Sequence, residues 1–229
     1  MPRFLCLPLL LAVFAVAPTL AQTTSAPPTV LGGAGGALVA AAVFGPAGAK
    51  TAGTTLPFRR DPAITRQAEA LTVQQVRATN EAAAEQLAQL FASREVLAAW
   101  GEALQQFSLG LDNVADALTA NWLVLYLCAN QQDAPASAAQ VAGLRRQLRR
   151  VCALPGIGGK LKTSAQRQQL ADYLHLQSLL LNQTQSGNEQ SHDAQASATL
   201  AQRARQIARQ NMGFDPTTVR LTDKGLVRK

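Results

Sequence analysis

The sequence has 229 residues, of which 48% are hydrophobic, 15% charged and 5% aromatic, and its formal net charge is +7. This length suffices for one sizeable core and excludes more than two small domains. The many alanines and glutamines, with few aromatic residues and few β-branched runs, favour an all-α fold.

The first 21 residues, MPRFLCLPLLLAVFAVAPTLA, are typical of a secretory signal peptide. Arg3 precedes an apolar run that ends in Thr-Leu-Ala, so we expect cleavage after Ala21 and a mature chain that begins at Gln22. An uncleaved membrane anchor is the alternative. Cys6 precedes the end of the apolar run without a small-residue box before it, so it does not fit a lipoprotein cysteine. We therefore expect an exported protein, periplasmic or secreted.

Residues 22–60 are predicted to form a flexible arm. From Gln22 to Ala49 there is no charged residue, and glycine and proline are frequent, which lowers helix propensity. The alternative is that segment 30–49 contacts a membrane or a partner, because Gly32 and Gly36 have the small-xxx-small spacing of packed membrane helices.

A helical domain is predicted over residues 61–213. Asp61 and Pro62 form a good helix start, and the helical pattern that follows favours two helices with a break near Asn80. Ser93 is predicted to cap a third helix that ends at Gly110. The short connection after it predicts a hairpin with the next helix.

The centre of the domain is predicted to be the helix of residues 113–129, capped by Asp112. From Ala117 to Ala129 it is apolar on nearly every side, so it must be buried on all sides. Thirteen residues rise about 20 Å, which is too short for a bilayer, so we expect a multi-helix bundle around this helix. Asn121 within it needs a hydrogen-bond partner, or else it lines a cavity with Trp122.

Three further predictions concern the C-terminal half of the chain. Ser137 begins one helix, and Thr163 with Gln166 forms a capping box for another. A loop around residues 186–188 precedes a last helix, which Gly213 ends. The tail of residues 214–229 is predicted to be extended, with a turn at residues 223–225, and to lie along the helical body.

Four segments carry a resemblance to a known family: FRRDPAITRQ, SREVLAAWGEALQQF, GLDNVADALTANW and MGFDPTTVRLTDKGLV. Together they resemble a family of exported bacterial proteins that is known only as a domain of unknown function, over about residues 58–227. The resemblance implies a bacterial, exported, helical protein. It implies no activity and no site residues.

The sequence contains no pattern of a catalytic or metal site. His175 and His192 are the two histidines, and neither has a histidine or cysteine at ligand spacing, so no metal or cofactor is expected. No nucleophile-elbow motif is present. The glutamates of residues 69–102 fit the solvated faces of alanine-rich helices. We therefore favour a non-enzymatic protein; the alternative is an enzyme whose site is assembled from scattered residues.

Cys128 and Cys152 would be the two cysteines of the mature chain, and an even number in an oxidising compartment suggests a disulfide. A straight antiparallel hairpin of their helices would offset them by about 18 Å, whereas a disulfide allows only about 7 Å between Cα atoms. Either the second helix bends or ends early, or both are free buried thiols.

A basic segment is the sharpest local signal. Between Asp133 and Asp172 there are seven positive charges and no negative ones. LPGIGGK within it resembles the hairpin of helix-hairpin-helix DNA-binding modules, in which glycine N–H groups meet a phosphate, but Lys162 stands where that family has a small residue. The possible anion-binding residues are Arg145, Arg146, Arg149, Arg150, Gly156, Gly158, Lys160 and Lys162, with Arg167 beyond them.

These patterns predict a non-enzymatic, exported helical protein of the cell envelope that binds a partner or has a structural role. The alternative is a binder of an anionic lipid head group, glycan or nucleic acid through residues 145–167, with nucleic acid the least favoured of the three. A solvated arginine face is the third reading of the same segment.

Overall fold

The computed structural model describes residues 39–40, 43–44, 53–132 and 134–229. The described part of the chain between Pro62 and Met212 forms eight helices: α1 (Pro62–Arg77), α2 (Glu81–Ser93), α3 (Val96–Gln105), α4 (Val114–Asn130), α5 (Ala138–Cys152), α6 (Pro155–Gly158), α7 (Ser164–Ser191) and α8 (Ala194–Met212). A 3-10 turn at Pro216–Thr218 leads into strands β1 (Val219–Thr222) and β2 (Gly225–Arg228). The prediction of an all-α bundle with a short extended tail is confirmed.

The buried helix at the centre is confirmed as α4. Every residue from Val114 to Ala129 is buried, because α5, α7 and α8 pack around it. Asn113, and not Asp112, caps it by accepting a hydrogen bond from the Asp116 N–H (2.9 Å). The predicted partner of Asn121 is also found, since its amide donates to Gln177 Oε1 at 2.9 Å.

Helix α7 is a second buried axis that the sequence did not predict. Residues 170–184 are buried, and α1, α3, α4 and α8 all contact the helix. The loop predicted around residues 186–188 is wrong, because α7 continues to Ser191 and ends at His192, which is left-handed with φ 54°. Asp193 then caps α8. Packing of α7 against neighbouring helices outweighs the low helix propensity of Ser186 and Gly187.

The first three helices correct two predicted boundaries. Asn80 caps α2, so the predicted break between two helices is confirmed. Ser93 does not cap the third helix: it is the last residue of α2, and α3 begins after Glu95 without a side-chain cap. Helix α3 ends at Gln105 rather than Gly110, and it packs mainly against α7 instead of forming a hairpin with α4.

The described residues of the predicted flexible arm pack against the helical body. Val39 and Val43 are buried, and the Phe44 ring lies 4.9 Å from the Phe214 ring, centroid to centroid. Further along, Leu56 is buried and the Phe58 N–H donates to Asp112 O (2.9 Å). The arm as a whole is rich in glycine and proline, so its composition does not indicate that these few large apolar side chains are buried. Burial of each of them stabilises the folded state. The other residues of segment 30–49, and the predicted leader, lie outside the described residues.

The predicted C-terminal turn is an antiparallel hairpin that lies on α5, and its Leu221 N–H donates to the Tyr126 hydroxyl of α4 (3.3 Å). The Gln147 amide accepts from Leu226 N–H (2.7 Å) and donates to Leu226 O (2.8 Å), so one side chain satisfies the outer edge of β2. Gly143 of α5 permits this approach, since a Cβ there would lie 2.4 Å from Asp223 O. An isolated two-stranded hairpin is marginally stable, so its order depends on these contacts.

Among the described residues, none of the helices has both the length and the apolar character needed to cross a bilayer.

Candidate binding cleft

A cleft of about 800 Å³ lies where the C-terminal ends of α4 and α7 meet the first turn of α8. Its apolar lining is limited to Leu127, Ala134 and Ala194. We call it the amide cleft, after the six amide side chains among its lining residues: Gln131, Gln132, Asn182, Gln185, Asn188 and Gln190.

Local backbone chemistry builds the cleft. Gln131 is left-handed with φ 48° and ends α4, and His192 ends α7 in the same way. Asp193 then accepts a hydrogen bond from the Ala196 N–H (2.8 Å) and starts α8. Two helices therefore end, and one begins, around the same space. Side chains of the last two turns of α7 form one wall of the cleft.

Two asparagines in this wall have unsatisfied donors. Asn182 and Asn188 are 7% and 3% exposed, and the side-chain nitrogen of each is buried without a hydrogen-bond partner. Leaving a buried donor unpaired costs about 1–3 kcal/mol. Donors of this kind call for a partner that the described residues do not supply, such as water or a ligand.

The electrostatic character of the cleft is neutral to acidic. Glu189 and Asp193 contribute two carboxylates to the lining, and no arginine or lysine belongs to it. The C-terminal ends of α4 and α7 add the partial negative charge of their helix dipoles. The cleft therefore favours neutral or cationic groups over anions, although the whole sequence has a net charge of +7.

Cys128 borders the cleft as a neutral thiol. It lines a space of about 30 Å³ with Gln185 and Glu189, and its Sγ donates to Gln185 Oε1 (3.0 Å). Burial, with the charge of Glu189, raises the pKa of Cys128 to about 12. Burial and the charge of Asp116 raise the pKa of Cys152 to about 12. Both cysteines are free, which is the second of the two arrangements considered, and neither is a thiolate at neutral pH.

The structure divides the predicted basic segment into bonded and solvated residues. The Arg145 guanidinium donates to both carboxylate oxygens of Asp116 (2.6 and 2.8 Å), which is buried. Arg146 donates to Asp223 O (2.7 Å), and Arg167 donates to two backbone carbonyls. These three arginines therefore form part of the folded structure. Asp116 is distant in sequence from Arg145, so no local pattern indicated the ion pair.

The glycine turn does not present a free phosphate cradle. Gly156 and Gly158 lie in the single turn of α6, and the Gly158 N–H donates to Leu154 O (2.9 Å). The Gly159 N–H donates to Pro155 O (2.9 Å). These N–H groups are bonded within the turn, so the resemblance to a helix-hairpin-helix module does not extend to that geometry.

A smaller exposed basic surface remains near the start of α7. The Arg59 backbone N–H donates to Ser164 Oγ (3.1 Å), which brings Arg59 next to the N-terminal end of α7. We call this surface the basic end; it consists of Arg59, Arg149, Arg150, Lys160 and Lys162, all of them exposed. Within the described part of the chain, none of these five side chains forms a hydrogen bond or ion pair.

A buried polar network around Asp172 was not predicted. Asp172 accepts from the Arg60 guanidinium (2.9 Å), the Thr65 hydroxyl (2.9 Å) and the Gln168 amide (3.2 Å). Arg60 also donates to Leu111 O (2.8 Å). The network connects the segment before α1 to α7. The partners of Asp172 all come from the protein itself, so we assign the network to the fold.

His175 lies one turn after Asp172 on α7 and is fully buried. The Trp100 indole N–H donates to its Nδ1 (3.1 Å). Burial, with the nearby charge of Arg60, lowers the pKa of His175 to about 3. The ring is therefore neutral, and its proton is on Nε2. In the described ranges, no group of three or more His, Cys, Asp or Glu residues is placed to hold a metal ion.

Sequence reasoning missed the amide cleft altogether. One signal was present: Asn182, Gln185 and Glu189 have the i, i+3, i+7 spacing of a single helical face, directly after a leucine-rich stretch. A polar stripe of this kind resembles a solvated helix face. Only the positions of α4 and α8 make it the wall of a cleft.

Residues 35–229 match a family described as a family of unknown function (DUF6683). Comparisons with curated proteins and with solved structures give no match. The matched range extends to the last residue of the sequence and includes every described residue, and therefore both the amide cleft and the basic end. The expected membership of a family of unknown function is confirmed. The chain belongs to the family DUF6683.

Proposed function

We propose that this chain is a non-enzymatic, exported binding protein of the bacterial cell envelope, and that it holds its partner in the amide cleft. The observation that supports this function is the pair of buried, unpartnered amide donors of Asn182 and Asn188 beside a cleft of about 800 Å³. Around Asp172 the donors and acceptors are paired. The buried Nε2 of His175 and both amide atoms of Asn211 also lack a partner among the described residues, but neither side chain lines the cleft.

The chemistry of the reactive side chains supports a binding role. Cys128 and Cys152 hold protons tightly, since burial raises both pKa values to about 12. His175 stays neutral and is enclosed in the core. Neither kind of group is poised to exchange protons near neutral pH, which is what general acid–base or thiolate catalysis requires.

The test compares three forms of the chain that begins at Gln22: wild type, the double variant Asn182→Leu/Asn188→Leu, and the control Gln202→Ala. Gln202 is an exposed amide on α8 that does not line the cleft. Each form is incubated with washed bacterial envelopes and sedimented. We expect wild type and Gln202→Ala to be retained, and the double variant to lose at least about ten-fold in retention, equivalent to one lost hydrogen bond of about 1.4 kcal/mol.

Equal retention of all three forms, or retention of none, would contradict the proposal. Turnover of peptidoglycan or ester substrates by the purified chain, abolished by Glu189→Gln, would contradict the non-enzymatic part.

The export component rests on the leader-like residues 1–21. Expression of the full sequence in a Gram-negative host, followed by mass measurement of the periplasmic fraction, tests it. We expect a chain that begins at Gln22. A full-length product confined to the cytoplasm would contradict export.

A second candidate function is anion binding at the basic end. The supporting observation is that Arg149, Arg150, Lys160 and Lys162 are exposed and that the fold adds Arg59 to them. Binding to anionic liposomes and to duplex DNA is titrated with salt. In Arg149→Glu/Arg150→Glu, the slope of log K against log salt is expected to fall by about two, about one for each lost phosphate contact. An unchanged slope would leave the basic end a solvated surface.

A further inference from the structure

We propose that the ligand of the amide cleft is an extended peptide of about three residues with a free amino group, recognised through its backbone. The inference rests on the proposed function and names the ligand class of the same site. Three properties of the cleft lead to it: its charge, its lack of aromatic surface, and the spacing of its polar side chains along α7.

The charge of the lining excludes an anionic ligand. Glu189 and Asp193 are not balanced by any arginine or lysine in the lining. Phosphate and carboxylate groups are normally bound by arginine, lysine or helix N-termini. Here, two helices present their C-terminal ends, and the one N-terminal end, that of α8, is already capped by the Asp193 carboxylate. A positively charged group is favoured at this position, and the α-amino group of a peptide is such a group at neutral pH.

The lining also lacks the surface that holds flat or apolar ligands. No phenylalanine, tyrosine or tryptophan belongs to it, and Leu127 is its one large apolar side chain. Small-molecule pockets are mainly apolar and aromatic, with a few polar groups that fix orientation. Most of the side chains that line the amide cleft are polar, so its ligand must offer several hydrogen-bonding groups.

Side-chain spacing matches an extended backbone. Asn182, Gln185 and Glu189 lie on one face of α7, and the distance from the first to the last is about 10 Å at roughly 1.5 Å per residue. An extended peptide rises about 3.3 Å per residue, so about three residues cover this distance. A planar side-chain amide carries an N–H and a C=O, and it can pair with a peptide group through two hydrogen bonds.

The hydrogen bonds already present orient this face toward a ligand. Gln185 donates to Glu189 Oε1 (2.9 Å) and to Gln132 O (3.4 Å) and accepts from Cys128 Sγ, so its side chain is held in place and its oxygen alone can accept a further bond. The Glu189 carboxylate has further acceptor capacity for an amine. The amides of Asn182 and Asn188 are unpaired, and the last torsion of an asparagine side chain rotates easily, so both can turn toward a bound backbone.

The test uses four defined probes. They are Ala-Ala-Ala as its C-terminal amide, with a free amine and no carboxylate (hereafter Ala-Ala-Ala), its N-acetyl form, its ester analogue with oxygen in place of the middle N–H, and cellotriose as a neutral polyol of similar length. Binding is followed through the ¹H–¹⁵N side-chain amide signals of Asn182 and Asn188. Their loss in Asn182→Leu and Asn188→Leu assigns them, and the dispersion of the backbone signals shows that each variant is folded.

We expect Ala-Ala-Ala to shift both amide signals to saturation, and Gln202→Ala to bind it as wild type does. N-acetylation should weaken binding at least ten-fold, because a charged hydrogen bond is lost, and the ester analogue should bind several-fold more weakly. Binding of cellotriose but not of the tripeptide would overturn the ligand class while leaving the proposed function intact. No shift with any peptide would overturn the inference, whereas retention by envelopes tests the proposed function separately.

Discussion

At the N-terminal end of α7, lysines and arginines stand in solvent around a helix start, whereas at its C-terminal end amides and two carboxylates line a cleft. Both arrangements oppose the helix dipole, which favours anions at the start of a helix and cations at its end. Each end therefore suits a ligand of the opposite charge. The two ends differ in their effect on the free energy of folding. Solvated charges destabilise the fold little, whereas the buried, unpaired donors of the amide cleft destabilise it by about 1–3 kcal/mol each.

This contrast shows which polar residues indicate a site. The basic segment has the stronger signal in sequence, but three of its arginines are bonded within the fold. The amide cleft has almost no signal in sequence, yet the side-chain donors of Asn182 and Asn188 have no hydrogen-bond partner among the described residues. An unpaired buried donor is therefore better evidence of binding here than a run of like charges.

The largest expected effect tests whether Arg145 belongs to the structure rather than to the basic end. Asp116→Asn removes the charge that pairs with Arg145, and the free energy of unfolding should fall by about 3 kcal/mol. Urea denaturation measures it. The control is Glu81→Gln, which breaks the exposed pair with Arg77 and should cost less than about 0.5 kcal/mol. If Asp116→Asn and Glu81→Gln both lower the free energy of unfolding by less than about 0.5 kcal/mol, Arg145 does not support the fold and should be counted with the basic end.

His175 lies in the middle of α7, between the basic end and the amide cleft. The pH dependence of stability tests whether its buried ring stays neutral. Its pKa is about 3 in the folded chain and about 6.5 when unfolded, so below pH 6.5 only the unfolded chain takes up the proton. Stability is therefore lost as the pH falls from 6.5 towards 3, by about 1.4 kcal/mol per unit. Between pH 7 and 5, His175→Gln should remove about 2 kcal/mol of this loss, and the exposed control His192→Asn should not. Identical pH dependence in both variants would show that His175 titrates normally.

The unpaired amides of Asn182 and Asn188 should respond to substitution differently from the hydrogen-bonded amide of Asn121. Asn182→Leu and Asn188→Leu should each raise the free energy of unfolding by about 1 kcal/mol, because an unpaired buried donor is removed. Asn121→Leu is the matched comparison. It should lower stability by about 1–3 kcal/mol, because Gln177 and Ser178 lose their partner. Thermal denaturation measures all three, and destabilisation of the cleft variants would mean that their amides are already satisfied.

The smallest effect is expected at the basic end. Arg149→Glu/Arg150→Glu should change the free energy of unfolding by less than about 0.5 kcal/mol, because both side chains are exposed and unpaired within the described residues. The same urea titrations measure it. A loss above 1 kcal/mol would show that these arginines, like Arg145, support the fold.

Much of the fold could be predicted from sequence. The apolar run of α4, the helix start at Ser137, the capping box at Thr163 and the terminal turn are local signals, and all four are found. The burial of α7 could not be predicted, because its polar residues become buried only through distant partners such as Arg60 with Asp172. Hydrophobic periodicity does not detect a helix of this kind.

The candidate site was less predictable than the fold. The spacing of Asn182, Gln185 and Glu189 was visible, but the neighbouring walls come from two other helices. Arg149, Arg150, Lys160 and Lys162 of the predicted basic segment are exposed, whereas Arg145 of the same segment pairs with Asp116, in another helix. Sites that arise from tertiary contacts leave little local pattern.

The contact between Phe44 and Phe214 has a consequence for folding kinetics. It joins the segments that precede and follow the helices in sequence. Arg228, in β2, also lies 5.2 Å from the centroid of the Phe44 ring. Contacts of large sequence separation require the closure of long loops and form slowly, whereas the helices form in microseconds. Residues 39–40 and 43–44 should therefore dock after the bundle has assembled. Their amide hydrogens should also exchange sooner than those of α4, because the contacts that form last are the least protected against opening.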